Sequence, residues 1–270
     1  MSSRLRAIAH DTVEISERGS YSTAAGDVVL AVAPAVEGTR LHLPDEVLPL
    51  PPEVGEARID VTNESTLDAT RRLGGDVAAL NFASARNAGG GFLNGAQAQE
   101  ESIARASAIY PCLRAAGDFY AHHRAHEDLT YTDRVIYSPR VPVFKDDGGT
   151  LLPRPYEVSF LTAAAPNRSA ILRNQPERAD GIPLALLRRA IRVLHVAASH
   201  GHRRLVLGAW GCGVFGNDPA TVAQVFALAL RDNRYFEHVV FAVLDRQKGA
   251  PTFQEFADVL SHGGTTPDLH

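Results

Sequence analysis

The stretch that decides the fold runs from Asp76 to Ser102, DVAALNFASARNAGGGFLNGAQAQEES. Its first part, Asp76 to Ser84, is a short apolar run of the kind that makes a buried strand. Three consecutive glycines, Gly89, Gly90 and Gly91, follow in a loop, and seven residues later Gln99, Glu100 and Glu101 open what reads as a helix. In open α/β sheets ligands collect beyond the carboxyl ends of the strands, where such strand-to-helix loops gather.

The same alternation continues outward. RVIYSPRVPVF (134–144), EVSFLTAAAP (157–166), RRLVLGAW (203–210) and HVVFAVLD (238–245) read as strands. Helical patterns lie between them: TLDATRRLG, one long run from Gln99 to His123, PLALLRRAIRVLHVAASHG, PATVAQVFALALRDN and TFQEFADVLS. Strand then helix, repeated, predicts an α/β fold with a mixed, largely parallel sheet and helices on both faces. Residues 1–52 are less regular, with GDVVLAV (26–32) as a strand and a Pro-rich connection after it, and read as an extension or cap. Residues 53–262 form the main domain and residues 263–270 a polar, flexible tail.

A second glycine-rich loop, GAWGCGVFGND (208–218), follows the strand ending near Leu207 and also opens into a helix. Glycine lets backbone approach a ligand closely, so both loops suit a diphosphate, with backbone N–H groups and a helix N-terminus aimed at the anion. Each loop also reads as an ordinary tight turn. Neither supplies the Lys-Ser/Thr of a nucleoside-triphosphate loop or a clean G-x-G-x-x-G, which excludes the usual kinase and dehydrogenase signatures. A net charge of −4 gives no footprint for non-specific nucleic-acid binding, so any nucleotide-like ligand is held locally. Two cysteines, no leader and no membrane-length apolar run point to a reducing, cytoplasmic setting.

Glu100 and Glu101 are neighbours on a helix and point about 100° apart, so one can hold a substrate hydroxyl while the other faces the bond to be broken. They are equally the acids that a helix start favours. The dipole favours the charged form by about 0.3–1 kcal/mol, while burial raises a carboxyl by as much as about 3–5 pKa units, so in a closed cleft one of the two keeps a proton near neutrality. Arg105, one turn beyond Glu101, offers the opposing outcome, a surface ion pair. His122 and His126 sit at i, i+4 spacing, yet no Cys cluster or H-E-x-x-H accompanies them and no metal is expected. Cys212 has no identifiable base and reads as loop packing. Trp210 and Tyr110 read as core, and RRAIRVLH as a solvated basic helix face.

Three glycines, seven residues, then Gln-Glu-Glu resembles the signature of the poly(ADP-ribose) glycohydrolases, and PVFKDDGG, TAAAPN and GAWGCGVFGND resemble their shorter microbial branch, together covering most of the chain from Val61 to Asp245. The resemblance implies an ADP-ribose-binding macrodomain fold that hydrolyses ribose–ribose bonds of poly(ADP-ribose), mainly from the chain end, and so reverses ADP-ribosylation in the DNA damage response. It implies Glu101 as acid/base, Glu100 as the group that orients ribose hydroxyls, and Gln99, Gly89, Gly90, Gly91 and Phe92 around the catalytic loop. It places Asn87 near the distal ribose, Gly211, Cys212, Gly213, Val214, Phe215 and Gly216 on the diphosphate and adenosine side, and Asn63 where related macrodomains keep an adenine-binding Asp. No cofactor is implied. The implied partners are poly(ADP-ribose), ADP-ribose and the modified proteins that carry them, with no direct DNA or membrane contact and a monomeric state. A non-hydrolytic ADP-ribose reader and a hydrolase of ADP-ribosylated proteins or small metabolites are the competing functions; the QEE pair speaks against the first, and substrate assays separate the second.

Overall fold

The computed structural model describes residues 2–261. Ser2 caps helix α1 (Ser3–Arg18), which ends at Gly19 in the left-handed conformation. A hairpin of β1 (Ser20–Thr23) and β2 (Gly26–Val29) follows, then α2 (Val32–Gly38) and β3 (Arg40–His42). Next come β4 (Arg58–Thr62), α3 (Thr66–Leu73), β5 (Ala78–Phe82), α4 (Gln99–Ala106), α5 (Ile109–Ala115) and α6 (Gly117–Ala125). A long hairpin of β6 (Val135–Lys145) and β7 (Leu151–Ala163) leads to α7 (Arg168–Asn174) and α8 (Ile182–Ser199). The chain finishes with β8 (Arg204–Leu207), α9 (Pro219–Arg231), β9 (His238–Ala242) and α10 (Pro251–Ser261). Among the described residues no helix is long and apolar enough to cross a membrane. The tail expected at 263–270 lies outside the described residues, as does residue 262.

Seven strands form the main sheet in the order β3-β6-β7-β5-β8-β9-β4. The pairs β7/β5, β5/β8, β8/β9 and β9/β4 are parallel, while β3/β6 and β6/β7 are antiparallel, so the sheet is mixed and largely parallel. Strand alternation splits the core in two. Ala79, Val206 and Val240 face a cluster with α1, α4, α5 and α6, whereas Ala78, Leu80, Leu205 and Phe241 face α8, α9 and α10. Both glycine loops leave the carboxyl ends of adjacent central strands, β5 and β8.

Three local differences from the sequence expectation have physical causes. The opening segment carries a sixteen-residue helix, α1, and supplies β3 to the main sheet. The long helical run from Gln99 breaks at Ser107, which bridges to Val143 in extended conformation while Ala108 N–H donates to the Pro142 carbonyl at 2.9 Å. The basic stretch on α8 is not a solvated face. Arg189 is fully buried, donating to Asp133, Ala164 O and Thr130 O, and Arg192 is buried against the carbonyls of Leu43 and Glu46. Trp210 is core, with its indole N–H on Ala163 O at 3.0 Å.

Candidate active site

Helix α4 has no side-chain cap at Ala98, and its first residue ties it to the central strand instead. The Gln99 amide accepts from Phe82 N–H (2.8 Å) and donates to Leu80 O (2.7 Å) and Thr66 Oγ1 (3.1 Å). That clamp sets the next two side chains against the first glycine loop. Glu100, 3% exposed, accepts from Ser84 N–H at 2.7 Å and from Asn81 Nδ2 at 3.3 Å. Glu101 Oε1 accepts from Gly91 N–H at 2.9 Å, and its Oε2 is buried with no hydrogen-bond partner among the described residues.

Gly90 explains why the triplet is glycine. At φ +59° a Cβ there would stand 2.3 Å from Glu101 Oε1 and 3.1 Å from Glu100 Oε2, so both carboxyls occupy the space that a side chain would take. The N–H groups of Ser84 and Gly91 in this first loop hold the two carboxyls. Burial drives the Glu100 carboxyl up to about 8, with the Glu101 charge adding to it and the Ser84 and Asn81 hydrogen bonds opposing it. Burial therefore favours the protonated form of Glu100. Arg105 makes no ion pair with Glu101 among the described residues; its guanidinium donates to Ala96 O (2.6 Å) and Ser102 Oγ (3.3 Å).

The second loop is built for the opposite purpose. The Asn217 amide, buried, donates to Pro166 O at 2.9 Å and to Gly211 O at 3.3 Å, and closes the turn behind Gly211. Cys212 and Gly216 N–H are used inside the loop, but the N–H groups of Gly213, Val214 and Phe215 donate to no acceptor among the described residues. Three successive free N–H groups make a concavity for an anion. The N-terminus of α9 is not part of it, because Asp218 caps that helix at Thr221 N–H. Phe215 packs toward Tyr131 with ring centroids 6.2 Å apart, and Val214 is 84% exposed. Burial pushes the Cys212 thiol up to about 12, so it is no nucleophile.

A cavity of about 910 Å³ joins these parts, a size ordinary for a ligand site. Gln99, Glu100, Glu101, Gly211, Cys212, Gly213, Val214 and Phe215 line it. The other expected residues stand apart from its wall. Gly89, Gly90 and Gly91 back the carboxyls, Phe92 is buried against Tyr110, and Gly216 packs on Ser169. Asn87 is exposed, and the Asn63 amide is engaged with the backbone of Asp245 at 3.1 and 2.9 Å. Sequence reasoning missed Asn81, whose signal was a lone amide in an otherwise apolar strand. It also missed Leu5 and Asp147, which line the cavity and which only the packing of α1 and the β6–β7 hairpin brings there. His122 and His126 stack at 3.9 Å, and among the described residues no group of three or more His, Cys, Asp or Glu is placed to hold a metal.

Comparison with known proteins bears on this geometry. The family model described as microbial-type PARG, catalytic domain, matches residues 9–146. The poly(ADP-ribose) glycohydrolase of Thermomonospora curvata is similar over 96% of this chain and 100% of its own, with 51% identity and a TM-score of 0.89. The same enzyme bound to the inhibitor ADP-HPD matches with 52% identity over 95% and 99% of the two chains, at a TM-score of 0.85. The Deinococcus radiodurans poly(ADP-ribose) glycohydrolase in complex with ADP-ribose matches with 43% identity over 86% and 98%, at 0.80. No curated protein matches the chain.

Proposed function

The chain belongs to the microbial-type poly(ADP-ribose) glycohydrolase family, a glycosidase family of macrodomain-like fold, and on that premise we propose how its own residues cut the polymer. The cavity takes the terminal ADP-ribose, as ADP-ribose is bound by the D. radiodurans relative. Its diphosphate lies on the free N–H groups of Gly213, Val214 and Phe215, and its distal ribose lies against Glu100 and Glu101. Glu101 protonates the departing ribose oxygen as the glycosidic C–O bond breaks through an oxocarbenium-like centre. Water then attacks the sugar carbon and returns a proton to Glu101. Glu100, held by Ser84 N–H and the Asn81 amide, orients the ribose hydroxyls. The observation that carries this reading is the convergence of two buried carboxyls on Gly90 at the wall of one cavity.

Both carboxyls come from one helix turn, so they do not flank the bond as in ordinary glycosidases, and Glu100 acts as a positioner rather than a nucleophile. The first ADP-ribose on a protein is spared, because its leaving group is a side chain. The two free thiols support a reducing, cytoplasmic setting in which the enzyme works as a monomer on polymer carried by modified proteins. The test is product analysis with end-labelled poly(ADP-ribose) and with a protein bearing single ADP-ribose units. Monomeric ADP-ribose from the first and none from the second is expected; early release of internal oligomers refutes chain-end cutting, and no release from either refutes hydrolysis.

A further inference from the structure

We propose that a basic rim outside the catalytic end of the cavity binds the diphosphate of the next ADP-ribose unit, the one retained on the polymer. This rests on the glycohydrolase reading above. Arg86 lies two residues past Ser84, whose N–H holds Glu100, and it leads into the glycine triplet. Arg124, at the end of α6, donates to Arg86 O at 2.7 Å. The connection from α6 to β6 carries Arg134 and meets the start of α7 where Asn167 N–H donates to Leu129 O at 3.0 Å. Beside that contact Arg168 donates to Gly216 O at 3.3 Å, which closes the arc at the second glycine loop. Arg124 thus sits on the backbone of the first loop, which carries Arg86, and Arg168 on that of the second, while Arg134 donates to Thr132 Oγ1 on the connection between them.

None of these four has a carboxylate within ion-pair distance among the described residues. The acids of the same connection are engaged elsewhere: Asp128 with Arg178, and Asp133 with Arg188 and Arg189. Glu127 alone on that connection has no cationic partner among the described residues. In a chain of net charge −4, cations without an acidic partner on and beside the two glycine loops suit a polyanion. The chemistry fixes where the anion comes. The oxygen that leaves on Glu101's proton belongs to the ribose of the next unit, and that ribose carries a diphosphate through its C5′ oxygen. As the terminal unit fills the cavity, that diphosphate emerges past Glu101 toward Arg86. Guanidinium binds phosphate in paired hydrogen bonds, which suits this task better than a point charge.

The side chain of Arg86 makes no hydrogen bond or ion pair within the protein among the described residues, so its removal leaves the loop intact. Binding of end-labelled poly(ADP-ribose) and of free ADP-ribose is measured on Glu101→Gln, alone and with Arg86→Ala or Arg86→Glu, at low and physiological salt. Polymer affinity is expected to fall about threefold for Arg86→Ala and about tenfold for Arg86→Glu, with a shallower salt dependence and unchanged ADP-ribose affinity. Equal polymer binding in all three proteins overturns the proposal, as does an equal loss for ADP-ribose. A loss seen only with polymer still attached to protein assigns the rim to the carrier and overturns it too. Failure of the glycohydrolase reading shows separately, as no release of ADP-ribose by the unmutated enzyme.

Discussion

Glu100 is a carboxyl only 3% exposed, and its burial has a measurable consequence for stability. A carboxyl raised to about 8 in the folded state binds its proton more tightly than in the unfolded chain. Its contribution to stability is therefore complete below the ordinary carboxyl range and is lost as pH rises through about 8. Glu100→Gln removes the ionisation, and urea denaturation at acid, neutral and alkaline pH is expected to show a flatter decline than in the parent protein. Equal slopes would place the buried proton elsewhere. Gly90 answers to packing at the same scale. Gly90→Ala sets a methyl 2.3 Å from Glu101 Oε1 at a left-handed φ, so we expect about 1–2 kcal/mol of destabilisation from the backbone and at least about a hundredfold loss in kcat, from a melt and an initial-rate assay. The glutamates and glycines stood out in the sequence, but their roles came from the family resemblance, because spacing alone left helix-start acids and tight turns open. Asn81 did not stand out, because a strand amide declares its role only when the residue it holds, nineteen positions on, is seen beside it.

At the scale of elements, α1 straps the catalytic loop from outside. Lys145, at the end of β6 and 1% exposed, donates to Asp11 Oδ2 (2.5 Å), Thr12 Oγ1 (2.7 Å) and Ile8 O (3.3 Å). Thr12 Oγ1 donates in turn to Arg105 O at 2.6 Å, at the end of the helix that carries both glutamates. Lys145→Met keeps the stem and removes the charged donor, for an expected loss of about 2 kcal/mol in urea denaturation and faster amide exchange across α1. Unchanged exchange in α1 would show that the strap is held by apolar packing alone. The sequence did not disclose this helix, since its apolar face covers a loop rather than a sheet and the groups it bonds, Arg105 and Lys145, lie 93 and 133 residues from Thr12. The break of the long helix at Ser107 was hidden for the same reason, being imposed by β6.

Across the whole molecule, strand order was readable as a class but not in detail. The alternation of apolar runs and helical patterns located β5 to β9, because parallel central strands are buried on both faces and stand out as continuous apolar runs. Which segment closes the antiparallel edge depends on β3, three residues long, pairing with Ile136 and its neighbours. We expect residues 2–52 to fold with the rest rather than as a detachable cap. A chain starting at residue 53 lacks β3 and α1, exposes the edge of β6, and is expected to be poorly soluble and without a cooperative melt. A soluble, cooperatively melting product would make the segment dispensable. The measurement that bears most directly on the central claim is the single-turnover rate of ADP-ribose release by Glu101→Gln, with ADP-ribose affinity measured on the same sample. The amide keeps the shape and the Gly91 contact but has no proton to give, so unaltered affinity with release slowed by at least about a thousandfold is predicted. Release at the parental rate would contradict it.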